Sequence, residues 1–125
     1  MKTAHAIHRA GFTLVEIMIV VAVIGLLAAI AIPNFVRARS QSQATACINN
    51  MRQIDSAIQQ ISMEKGLAAG DTVNSDDLTS YIKLNSAGSV PGCPAGGNYA
   101  IQPVGSTPSI TCSLGNNVNP AHLLP

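Results

Sequence analysis

Residues 11–33 read GFTLVEIMIVVAVIGLLAAIAIP. From Phe12 to Ile32 every residue is apolar or small except Thr13 and Glu16, and an apolar run of about 20 residues is what a helix needs to cross the hydrocarbon of a bilayer. The stretch therefore predicts a membrane-spanning helix over 12–32. A carboxylate one turn into such a run costs several kcal/mol unless it is neutralised or paired, so Glu16 calls for a partner. A cut between Gly11 and Phe12 supplies one, because the new amino group of Phe12 is a cation at the start of the helix. Within one chain the positive end of the helix dipole favours the acid and disfavours the amine. A pair formed between Glu16 of one copy and the Phe12 amine of another relieves both.

Gly11, Phe12, Thr13, Leu14, Val15 and Glu16, followed by an apolar helix interrupted at Pro33, resemble the cleavage and methylation motif of type IV pilins and type II secretion pseudopilins. The resemblance implies a leader at 1–11 and a prepilin peptidase on the cytoplasmic side that cuts after Gly11 and N-methylates Phe12. It makes Glu16 the assembly residue that recruits the next subunit's amine. It also implies the partners: other copies of the chain, minor pseudopilins, the peptidase and an inner-membrane assembly platform. Such a chain crosses the bacterial inner membrane once, with its N-terminus cytoplasmic and its head periplasmic, before joining a periplasmic filament. Charge alone does not orient it, since Lys2 and Arg9 before the run are matched by Arg37 and Arg39 after it. Two plainer readings compete. A secretory signal peptide, with Ala29-Ile30-Ala31 as its cleavage site, has a shorter apolar region than this one and no place for Glu16. A simple anchor leaves Gly11 and Glu16 unexplained.

The remainder is small. The chain has 125 residues, so the part outside the membrane run holds one modest core and no large enzyme. The formal charge of +1 belongs to the precursor, and without Lys2 and Arg9 the mature chain is near −1. With aromatics at 3%, stacking and phosphate binding have little material, and no nucleic-acid partner is expected. No Ser-His-Asp, Cys-His or paired-carboxylate pattern marks a catalyst, and no cofactor is expected. His5 and His8 leave with the leader.

Small residues Gly25, Ala28, Ala29 and Ala31 permit close helix packing in the run. Pro33 removes a backbone donor and predicts a helix break or kink. Beyond it, Cys47, Met51, Ile54, Ile58 and Ile61 recur at helical spacing among polar neighbours, so the amphipathic continuation of the long helix is placed at 33–66, ending in a Gly66 cap. The head, 67–125, reads as a short helix starting at Ser75, with Leu78, Tyr81 and Ile82 inward. Two strands follow, Asn98 to Val104 and Ser109 to Leu114, joined by a turn at Gly105 to Pro108. The predicted class is α+β.

In an oxidising compartment three pairings of the cysteines are open, with Cys93 and Cys112, which flank the hairpin, as the disulfide candidate. Cys47 is then a buried thiol on the helix's apolar face. No metal site is predicted, since neither C-x-x-C nor a pair of histidines accompanies them. Segments such as ACINNMRQIDSAIQQ and GCPAGGNYAI look like those of short, cysteine-containing secretion pseudopilins. The calcium site of major pseudopilins is not expected, because no Asp or Glu follows Asp77. The leading function is a structural subunit of a type II secretion-like pseudopilus. A type IV or competence pilin serving adhesion, motility or DNA uptake stands second, and a membrane-anchored ligand-binding protein is the remote alternative.

Overall fold

A computed structural model describes residues 11–125. The element order is α1 (Leu14–Lys65), α2 (Ser75–Leu78), β1 (Tyr99–Ile101) and β2 (Ile110–Cys112). The class is α+β, a long apolar helix and a small region carrying a short helix and a hairpin. The leader residues Lys2, His5, His8 and Arg9 lie outside the described residues.

Two compact units divide between Val36 and Arg37. The described part of the first is helical from Leu14, and its large apolar side chains, from Phe12 to Val36, stand exposed. Residues apolar on every side form a helix that water does not solvate well, which is the pattern of a membrane or filament-core segment. Among the described residues α1 is the single helix long and apolar enough to cross a membrane. Pro33, where the sequence predicts a break or kink, lies inside α1, which runs on through it. Proline removes one amide donor and crowds one carbonyl, and the strong helix formers Ala28, Ala29 and Ala31 just before it keep the ladder going.

The second unit is built on the C-terminal part of α1. Ala44, Cys47, Met51, Ile54, Ala57, Ile58 and Ile61 are buried there, at the three- and four-residue spacing that one helix face requires. They meet Val73, Leu78, Ile82, Ile110 and Cys112 in one cluster. The helix stops as its sequence suggests. Gly66 takes φ 64°, the left-handed conformation that glycine adopts without strain, and the Leu67 N–H donates to the Ser62 carbonyl at 2.9 Å. That bond closes a Schellman cap, with Leu67 packed against the core.

The head departs from the sequence reading in three places. α2 is one turn, capped at Asn74 without a side-chain bond, because the chain turns back as soon as Leu78 and Ile82 are buried. Tyr81 is not inward but 37% exposed, with its hydroxyl donating to the Glu64 carboxylate. Beside it Lys65 Nζ meets Asp77 Oδ1 at 2.6 Å, a part-exposed pair that contributes at most about 1 kcal/mol. The strands are shorter at both ends, paired antiparallel as Tyr99 with Cys112 and Ile101 with Ile110. The ladder gives way at Pro103, which has no N–H to donate, and a wider loop than the predicted turn follows, stitched by Gln102 N–H to the Ser109 carbonyl at 2.8 Å.

Candidate functional site

At the start of α1 the Thr13 backbone N–H and its hydroxyl both donate to Glu16 Oε2, each at 2.9 Å. In return the Glu16 N–H donates to Thr13 Oγ1 at 3.2 Å. This is a capping box: a threonine at the N-cap and an acid three residues on, each satisfying an amide that the first helical turn leaves without a partner. Its signal in the sequence is T-L-V-E ahead of an apolar run. Both Thr13 bonds fall on Oε2, and among the described residues no hydrogen bond reaches Oε1. Phe12 is 86% exposed just outside the helix. Gly11 is exposed too, and a Cβ built on it meets nothing within 4 Å. Nothing in the fold demands glycine at that position.

A second constellation was not foreseen. Cys47 on α1, Cys93 in the loop before β1, Cys112 on β2 and His122 beyond β2 are all buried, and their ligand-type atoms lie within 4.8 Å of one another. All three cysteines are free thiols here, and Cys93 and Cys112, the pair suggested by their flanking the hairpin, do lie close together. The apolar face of α1 brings Cys47 to the same point, and three sulfurs share it. Cys93 Sγ is 3.3 Å from His122 Nδ1. His122 is held there by its own N–H, which donates to the Gly115 carbonyl at 2.8 Å, an isolated β-bridge in a tail without readable periodicity.

The three thiols do not sit in equal surroundings. Burial pushes Cys47 up to about 12, with a hydrogen bond from the Tyr99 hydroxyl working the other way. The Tyr99 hydroxyl itself is raised by burial and by its bond to Cys47. At Cys93 burial also favours the thiol, but hydrogen bonds from the backbone N–H groups of Ala95 and Gly97 and from the other two cysteines outweigh it, and its pKa is lowered. In the turn Cys93-Pro94-Ala95-Gly96-Gly97, Gly96 is left-handed at φ 86° and donates to the Cys93 carbonyl at 2.9 Å.

The family described as "Prokaryotic N-terminal methylation motif" matches residues 7–32. Residues 7–32 carry that motif. Among curated proteins the chain is similar to the type IV major pilin protein PilA of Myxococcus xanthus, 47% identical over 55 residues, which is 44% of this chain and 25% of that protein. The type IV major fimbrial protein FimA of Dichelobacter nodosus is 44% identical over 61 residues, 49% of this chain and 38% of its own length. The fimbrial protein EcpC of Eikenella corrodens is 35% identical over 86 residues, covering 62% of this chain and 56% of that one. The chain thus spans from a quarter to somewhat over half the length of these relatives. No solved structure matches. Gly11, Phe12, Glu16 and Pro33 stand in or directly beside the matched pilin-type segment, whereas the cysteine and histidine cluster lies wholly outside it.

Proposed function

We propose that the chain is a structural subunit of a type IV pilus-class filament. In this reading a prepilin peptidase removes residues 1–11 and methylates Phe12. The mature subunit waits in the inner membrane with its N-terminus cytoplasmic and its head on the other side, then joins the filament through its apolar helix. The observation that carries the reading is the joint presence of the matched motif and an apolar helix exposed on all sides, headed by an exposed Gly11-Phe12 bond and by Glu16 with one oxygen still open. Glu16 first caps its own helix and then accepts the Phe12 ammonium of a neighbour on Oε1, so that neither charge is stranded when the helices pack away from water. The chain acts as a building unit and not as a catalyst.

The relatives reported above carry pilin and fimbrial names, which favours a surface pilus over the secretion pseudopilus that the head sequence suggested. Intact-mass analysis of the chain from a host with a prepilin peptidase tests the processing: the expected product begins at methylated Phe12. An uncut chain, or one beginning at Ile32, removes the pilin reading. Shearing intact cells then separates the two filament classes. A pilus subunit appears in the sheared fraction, and a pseudopilus subunit stays in the periplasm and inner membrane.

A further inference from the structure

We propose that Cys47, Cys93, Cys112 and His122 bind one Zn2+ in a closed tetrahedral Cys3His site that ties the head to α1. Four ligands are what a structural zinc takes, with Zn–S near 2.3 Å and Zn–N near 2.0 Å, so neighbouring ligand atoms in a filled site stand about 3.7 Å apart. Here the four ligand atoms already lie within 4.8 Å of one another, and an inward shift of under about 1 Å brings them to that spacing. Three sulfurs and one imidazole form a soft donor set, which selects zinc over calcium or magnesium. No carboxylate follows Asp77 in the sequence to add a hard ligand.

The surroundings are those of a bound thiolate cluster. Zn2+ with three thiolates and a neutral imidazole carries one net negative charge in a buried place, and such a charge needs donors around its sulfurs. The Tyr99 hydroxyl lies 3.3 Å from Cys47 Sγ. Gly97 comes so close that a Cβ there would stand 2.7 Å from Cys112 Sγ, a contact no other residue type tolerates unless the sulfur moves. Asn50 Nδ2 donates to the Gly92 carbonyl at 3.0 Å, fixing the Cys93 loop against α1. A disulfide between any two of the sulfurs uses half of this arrangement and leaves the third thiol and the His122 ring beside Cys93 unexplained. With all four groups buried, no position stays open for substrate, so the site is structural. On binding, each thiol gives its proton to solvent and its lone pair to the metal, with no change of oxidation state.

A small head is where such a tie matters. Its two strands are three residues each, and domains of this size commonly need a metal or disulfides beyond their core. The full chain, produced in a bacterial host and extracted in detergent, is the sample for the test. Elemental analysis and native mass should give one zinc per chain and no disulfide, with the three thiols alkylated only after denaturation with a chelator. Co2+ in place of zinc should produce sulfur-to-cobalt charge-transfer absorption and the intense visible bands of a tetrahedral ion. Cys112→Ser and His122→Ala should each weaken affinity by more than about tenfold, read by competition with a chromophoric chelator. The wild-type cobalt spectrum stands independently of whether those variants fold. A metal-free chain joined by any cysteine pair, or a cobalt spectrum without sulfur charge transfer, overturns the proposal. Neither outcome bears on cleavage at Gly11, which is scored separately by mass.

Discussion

Glu16 has two oxygens, and the proposed filament gives each of them a task. Oε2 closes the capping box with Thr13, and Oε1 is the atom offered to a neighbour in the proposed filament. Substitutions separate the tasks. Thr13→Ala removes the cap and should cost about 1 kcal/mol of local helix stability, raising amide exchange in the first turn roughly fivefold in micelles while subunits still assemble. Glu16→Ala removes both tasks. It should be cut normally and accumulate in the membrane, yet be depleted from sheared filaments even beside wild type, because a stranded buried partner costs about 3–5 kcal/mol. Entry of Glu16→Ala into filaments at the wild-type ratio would show that the acid makes no assembly contact. Gly11→Val tests the peptidase cleanly: a Cβ at Gly11 meets nothing, so an uncleaved leader in that variant reports on recognition and not on folding.

At the scale of elements, the end of α1 offers a similar separation. Gly66 is left-handed and its missing Cβ has open space, so substitution there tests backbone strain alone. Gly66→Ala should destabilise the head by about 1 kcal/mol and Gly66→Asn by less, since asparagine enters the left-handed region more readily, as read by chemical denaturation. The Gly66 cap and the apolar face from Cys47 to Ile61 were legible because helical period and glycine placement are local properties of the chain. The hairpin was legible in position but not in extent, since Pro103 ends the ladder where alternation in sequence continues. The capping box is local too, written as T-L-V-E, but there the cost of a charge in an apolar run masks the simpler role of the acid. The thiol and imidazole cluster was not legible at all. Its members are separated by 46, 19 and 10 positions, far from any local metal spacing, and the fold alone brings them together.

Among the described residues, every buried side chain falls within Arg37–Pro125, from Ala44 to His122. A fragment of 37–125 should therefore fold without the apolar half and show a cooperative thermal transition in the presence of zinc. Met51→Ala in that fragment should cost about 2–5 kcal/mol, as expected for a long side chain lost from a packed site. A fragment without a cooperative transition would mean that the first unit contributes to the fold.

The placement of Phe12 one helical turn before Glu16 also constrains symmetry. Four residues at helical rise span roughly 6 Å, and the non-helical start at Phe12 and Thr13 makes the step at least that, so two parallel subunits bring amine and acid to one level only by sliding past each other by about that amount. The slide that aligns one pair parts the reciprocal pair by about 12 Å. Two copies thus cannot satisfy each other in a closed two-fold dimer. In the proposed pairing each subunit is left with one unsatisfied end above and one below, which is the condition for an open, polar polymer that grows without a fixed number of subunits.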